Sequence, residues 1–136
     1  MKNVKKVKSL ALVFIFLAGL GFSNVFGQEK ESTTLYAIMF HADNCAGSKS
    51  MAPKVTSLQN KLKGKSVEFV KFDFSNPASV EKTQDLADKL GLNRVLASNE
   101  GTGFVVLVDA KSKQEKAILT TKQSLDEMLA SILGNL

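Results

Sequence analysis

The chain has 136 residues, a single-domain length, with 23% charged and 44% hydrophobic residues, which excludes a disordered chain and an all-membrane protein. Two prolines and nine glycines exclude a collagen-like or proline-rich protein; the single cysteine, Cys45, excludes an internal disulfide framework or a multi-cysteine metal site, and the single histidine, His41, leaves any Ser-His-Asp type site one possible base. The net charge of +5 is an N-terminal feature: Lys2, Lys5, Lys6 and Lys8 precede the first apolar run, and the remaining 14 Lys+Arg stand against 13 Asp+Glu, too even a balance to support nucleic-acid binding.

The chain opens with those lysines, a 13-residue apolar run from Leu10 to Phe22, and then Ser23-Asn24-Val25-Phe26-Gly27. This pattern predicts a secretory signal peptide over residues 1–27, with Val25 and Gly27 at the two small-residue positions and Gln28 as the mature N-terminus. No cysteine directly follows the run, which argues against a lipoprotein anchor. The alternative is an uncleaved membrane anchor, since Leu10 to Phe26 is 17 residues, the lower edge of a spanning length. Either way the expected location is exported, periplasmic or secreted, and any membrane contact is through an uncleaved signal.

Residues 28–136 are expected to form one domain, large enough to fold without disulfides. Thr34 to Phe40 is an apolar, β-rich run of buried-strand type. His41 to Ser48 is rich in turn and cap residues, and Met51, Val55, Leu58 and Leu62 recur at helical spacing until Lys63-Gly64-Lys65; Pro53 inside that helix predicts a kink. Val67 to Phe74 is the second strand. Ser75-Asn76-Pro77 opens a second helix, with Val80, Thr83, Leu86, Ala87 and Leu90 as its apolar stripe and Gly91 as its stop. Leu92 to Gly103 is predicted as a loop with a turn at Ser98-Asn99-Glu100-Gly101. Phe104 to Val108 is a fully apolar central strand; a polar turn at Lys111–Gln114 leads to a shorter strand, Lys116 to Leu119. Thr120 or Thr121 is expected to cap a last helix carrying Leu125, Met128, Leu129, Ile132 and Leu133. The order β-α-β-α-β-β-α, with two crossovers compatible with βαβ units and then a hairpin, predicts an α/β fold: a mixed four-stranded sheet covered on both faces.

A strand followed by Phe40-His41-Ala42-Asp43-Asn44-Cys45-Ala46-Gly47-Ser48-Lys49 and a helix containing Ala52-Pro53 resembles the active-site segment of the thioredoxin superfamily. Lys71 on the second strand, Asn76-Pro77, and the hairpin before the terminal helix fit the same pattern. The resemblance covers essentially the whole of residues 28–136, without room for the first strand and helix of thioredoxin itself, and implies a three-layer α/β/α sandwich. It implies Cys45 as a nucleophile, Ser48 as its partner, and Thr102, Gly101 and Asn44 as part of the surface that meets an extended substrate. His41, Lys49 and Lys71 are the candidate modulators. Three departures limit what carries over. Ser48 stands where the family has its resolving cysteine, giving C-A-G-S; Thr102 stands where it has a cis-proline; and Met39 stands where many members bury an acid. A dithiol reductase is therefore disfavoured.

If the helix begins near Cys45, its sulfur meets unsatisfied N–H groups and the positive end of the helix dipole, which favour thiolate. Ser48 can donate a hydrogen bond and Lys49 adds a nearby charge. Such a sulfur suits mixed-disulfide exchange with protein thiols or disulfides, but it cannot release its partner from within. The competing expectation is a protein-binding module in which Cys45 is inert or paired between molecules; a weaker third is a peroxide-reactive thiol, disfavoured because the sole arginine, Arg94, is distant in sequence. His41, Cys45 and Met51 alone make an incomplete metal set, so neither metal nor cofactor is expected.

Overall fold

A computed structural model describes residues 32–136; the expected signal peptide at 1–27 lies outside the described residues. The elements are β1 (Leu35–His41), α1 (Ala46–Lys61), β2 (Val67–Asp73), α2 (Pro77–Leu90), α3 (Asn93–Ser98), β3 (Phe104–Asp109), β4 (Glu115–Leu119) and α4 (Leu125–Gly134). They form one four-stranded sheet in the order β2-β1-β3-β4. β1 pairs with β2 in parallel and with β3 antiparallel, and β3 and β4 form an antiparallel hairpin.

β1 is the central strand and its alternation is buried on both sides. Leu35, Ala37 and Met39 pack with Met51, Leu58 and Leu62 of the α1 segment and with Met128 and Ile132 of α4. Tyr36, Ile38 and Phe40 pack with Ala87 of α2, Leu92 and Val95. Because successive side chains of a strand point to opposite faces, one apolar run feeds two cores, and the mixed α/β sandwich follows.

Four local expectations are corrected. Residues 92–103 contain the six-residue helix α3, which has one fully buried side chain, Val95, and no side-chain cap at its N-terminus, so the usual helix signals are missing. Its last carbonyls are satisfied locally, that of Arg94 by the Ser98 hydroxyl and that of Val95 by the Asn99 amide. The second crossover does not yield a parallel strand: residues 92–103 return the chain to the end of the sheet where β1 finishes, and Phe104 pairs with Phe40 as β3 starts back. The last helix is capped by Ser124, whose hydroxyl accepts from the Glu127 N–H while the Glu127 carboxylate accepts from the Ser124 N–H, a reciprocal box that outcompetes Thr120 and Thr121. Val80 is 44% exposed, outside the core. Thr83, one turn later, lies level with the last β2 residue, its hydroxyl accepting from the Asp73 N–H and donating to the Asp73 carbonyl, so Val80 sits past the end of the strand.

Other expectations hold. The Asn76 side chain accepts from the Ser79 N–H ahead of Pro77, and Gly91 ends α2 in the left-handed conformation at φ 71°. Helix α1 contains Pro53 within its span. The β3–β4 turn is built on the Asp109 carboxylate, which accepts from the N–H groups of Lys111 and Ser112 and from the Ser112 hydroxyl; these bonds hold it below the usual carboxylate range.

Aromatic packing closes the sheet at the end where β1 leads into α1. Phe40 is fully buried, stacked on Phe104 at 4.9 Å and on Phe74 at 5.9 Å, with the Phe72 ring edge-on at 5.4 Å. Phe40→Ala would empty the centre of this cluster, and its expected cost is about 3–5 kcal/mol. A urea or thermal unfolding curve beside the parent checks this; a loss below about 1 kcal/mol would contradict the packing described.

Candidate active site

The end of β1 is held from both sides. The Phe40 carbonyl accepts from the Gly103 N–H at 2.7 Å, and the His41 carbonyl accepts from the Phe74 N–H at 2.8 Å. The chain then turns through Ala42–Cys45, closed by the Cys45 N–H on the Ala42 carbonyl, and α1 starts. Cys45 is the N-cap residue, extended at φ −94°, ψ 121°. As a neutral thiol it makes no capping bond of regular geometry to the helix. Its half-buried sulfur instead sits among donors that favour its ionised form.

Those donors hold the Cys45 thiol at about 7, down from an ordinary 9.0. The Thr102 hydroxyl contributes most, then the Ser48 N–H and the Ser48 hydroxyl, with the Gly47 N–H adding; burial works in the opposite direction. All four are neutral. Hydrogen bonds to the charged form of an acid lower its pKa, and amides at a helix start are pre-aimed donors. Because the folded-state pKa is depressed, the thiolate's contribution to stability is fully present above the ordinary value of 9.0 and is lost as pH falls through about 7.

Ser48 is fully buried, and its oxygen accepts the Ala42 N–H at 3.1 Å while its hydroxyl proton is free for the sulfur. It therefore anchors the turn and acts on the thiolate together. Thr102 is half-buried in Gly101-Thr102-Gly103, preceded by a trans peptide, as is every described residue. Its hydroxyl is the group that lowers the Cys45 pKa most.

Two glycines that the sequence reading did not single out make this possible. A Cβ on Gly103 would lie 2.9 Å from the backbone Cα and C of Gly47 and 3.1 Å from the Ser48 nitrogen, and Gly103 has φ +94°. A Cβ on Gly47 would lie 3.4 Å from the Gly103 Cα and 3.7 Å from the Cys45 sulfur. The loop before β3 thus lies backbone to backbone against the first turn of α1. The available signal was glycine itself: Gly47 stands in a first helical turn, where it costs about 1 kcal/mol relative to alanine, and glycines flank Thr102 on both sides.

None of the candidate modulators is among the groups that act on the Cys45 thiol. The His41 Nε2 is paired with the Asp43 carboxylate at 2.9 Å. Lys49 is exposed and is not among the groups that lower the thiol pKa. Lys71 is exposed on the edge strand β2, opposite the buried Met39 in register. His41 and Lys71 line one groove of about 220 Å³ between α1 and β2, with Met39, Val55 and Phe69. Asn44 and Gly101 are exposed around the turn and loop. Among the described residues no group of three His, Cys, Asp or Glu side chains is placed to hold a metal ion.

No protein-family model and no curated protein sequence matches the chain. Solved structures do. DsbF of MTB, described in mixed oxidized and reduced forms, has a TM-score of 0.54 at 15% identity, covering 77% of this chain and 83% of its own. Thioredoxin-2 of the malaria parasite, a component of its protein secretion machinery, has 0.50 at 19% identity, covering 79% and 97%. The thioredoxin of Malassezia sympodialis has 0.50 at 17% identity, covering 76% and 79%. The fold is thioredoxin-like, a mixed four-stranded sheet between helices, carrying one cysteine.

The donor set makes a direct forecast. The rate of Cys45 alkylation against pH is expected to reach half its maximum near 7, and Thr102→Val, which keeps the side-chain shape and removes the donor, is expected to move that midpoint upward while Thr102→Ser leaves it. A parent midpoint at 9 or above would mean the donors do not act on the sulfur.

Proposed function

We propose that this chain is an exported monothiol protein of thiol–disulfide exchange, with Cys45 as nucleophile. The observation that carries the reading is the partly exposed Cys45 sulfur at the start of α1, held at about 7 by four neutral donors. A thiol with a pKa near ambient pH combines thiolate fraction with nucleophilicity, the optimum for attack on a disulfide.

The step runs in two halves. The Cys45 thiolate attacks one sulfur of a disulfide in a protein or peptide; that S–S bond breaks, a Cys45 mixed disulfide forms, and the departing thiolate takes its proton from solvent. Cys45 is the only cysteine, so release comes from outside: a thiolate of the partner or of a small thiol attacks the mixed disulfide and Cys45 leaves as thiolate. Disulfides are exchanged without net oxidation or reduction, which is shuffling or transient capture. The Ser48 and Thr102 hydroxyls stabilise Cys45 as nucleophile in the first half and as leaving group in the second. Gly101 and Asn44, exposed beside the sulfur, are the proposed contacts for the partner's extended segment.

Export is part of the same proposal, supported by the lysine-rich start and the apolar run Leu10–Phe22. A periplasmic or extracellular compartment supplies disulfides to attack.

Two outcomes are expected. The purified protein incubated with a disulfide-bonded peptide gives a thiol-reducible covalent adduct by mass spectrometry, lost in Cys45→Ala with the fold intact; a parent with no adduct would leave a binding module as the better reading. When the full chain is expressed in a secreting host, the exported form begins at Gln28 by N-terminal mass, and a product retaining residues 1–27 would favour the uncleaved anchor.

A further inference from the structure

We infer that Ser75, thirty residues beyond Cys45 in the chain and outside the nucleophile's own helix, is a positioning residue for Cys45, holding the turn that aims the sulfur at its donors. The inference rests on the thiol-exchange reading of that site.

Cys45 is extended, so helix α1 does not dictate where its sulfur lies relative to the amides of Gly47 and Ser48. That placement depends on the preceding turn. Within the turn, the Cys45 N–H binds the Ala42 carbonyl at 3.1 Å, and the Ala42 N–H binds the Ser48 oxygen at 3.1 Å. Both bonds stay within the 42–48 segment and do not tie residues 42–45 to the end of β2. The tie to the sheet beyond β1 is different: the Asp43 N–H donates to the Ser75 oxygen at 3.0 Å.

Ser75 is itself fixed. Its hydroxyl donates to the Asp73 carboxylate at 2.5 Å, and its N–H donates to the same oxygen at 3.0 Å. Asp73 is locked in turn by Thr83, whose hydroxyl takes the Asp73 N–H and gives to the Asp73 carbonyl. A charged acceptor pins the Ser75 proton, which leaves the Ser75 lone pair directed at Asp43; bonds to a carboxylate are about twice as strong as neutral ones. The line Asp73–Ser75–Asp43 thus fastens the Cys45 turn to the end of β2 and to α2. Asp43 also holds His41 through its side chain, so the backbone tie and the side-chain tie meet at one residue.

The test compares the pH profile of Cys45 alkylation in the parent, Ser75→Ala and Ser75→Thr, with a thermal melt of each. The Asp43 N–H lies at the surface, where water can replace the lost acceptor, so Ser75→Ala is expected to fold. Its midpoint is expected to rise by about one pH unit, slowing alkylation at pH 7 about fivefold, with Ser75→Thr restoring the parent profile. A merely stabilising Ser75 would lower the melting temperature and leave the midpoint in place, and that result overturns the inference while leaving the proposed function standing. A parent midpoint near 9 overturns the thiol-exchange reading and the inference with it. Asp73→Asn weakens the same anchor without touching Ser75; should Ser75→Ala unfold, the same upward direction is required of Asp73→Asn, and an unmoved midpoint there overturns the inference equally.

Discussion

The contact on which the site depends is backbone against backbone, Gly103 on Gly47. The loop ahead of β3 can lie this close to the first turn of α1 only if position 103 carries no Cβ, since one there would stand 2.9 Å from the Gly47 backbone. Gly103 also adopts φ +94°, a conformation that side chains oppose. With the Gly103 N–H on the Phe40 carbonyl, the loop is fixed to the strand below and to the helix beside it. Thr102 sits between this glycine and Gly101, and its hydroxyl is the group that most lowers the Cys45 pKa. The same contact brings together β1, β3 and α1, so the folding of the sheet and the chemistry of the cysteine share a single close approach.

What gathers at the sulfur is dipolar rather than charged. An exposed lysine near a thiolate acts through water and is screened by salt, worth on the order of 1 kcal/mol at 4 Å in high dielectric. Amide and hydroxyl donors held by the fold are oriented in advance and need no reorganisation. The absence of Lys49 and His41 from the groups acting on Cys45 is consistent with this design. So is the buried Met39: a site with one thiol has no second sulfur whose proton an acid must move, and a methionine there contributes instead to the α1-side core. The thiolate of this protein is therefore expected to be insensitive to ionic strength.

Most of the fold was legible in the chain because it rests on local signals that packing reinforces: the apolar run of β1, Asn76-Pro77 and Gly91 bracketing α2, the apolar stripe of α1. What stayed illegible depends on distance. Helix α3 has six residues and no cap, so only the burial of Leu92 and Val95 reveals it. Ser124, rather than Thr120 or Thr121, caps the last helix because Glu127 stands three residues on, a pairing that a single cap residue does not reveal. At the site, Cys45 and Ser48 were indicated by the resemblance of their one segment to a C-x-x-C motif at a helix start. Ser75 was not: its hydroxyl meets Asp43 only because β1 and β2 pair in parallel with His41 opposite Asp73, a register that no single segment encodes. Thr102 was found for its place in the loop, while its hydroxyl's effect on the sulfur depends on a loop-to-helix approach that the sequence does not show.

Ser48 is more than the place where a second cysteine is missing. It is fully buried, and its oxygen accepts the Ala42 N–H that closes the turn. Sulfur is a weaker and bulkier acceptor than a hydroxyl oxygen, so a cysteine at 48 would loosen the turn that positions Cys45 while providing the thiol to resolve it. A hydroxyl does the reverse: it strengthens the anchor and, by accepting from Ala42, becomes a better donor to the thiolate, as hydrogen bonds in series polarise one another. The arrangement trades intramolecular release for a firmly placed, ionised sulfur. In a dithiol site the second cysteine bounds the life of every adduct; under the exchange proposed for C-A-G-S that life would be set by thiols arriving from outside. Persistence of that kind would suit the proposed shuffling role, in which a partner is held through a wrong disulfide until its own correct thiol displaces it.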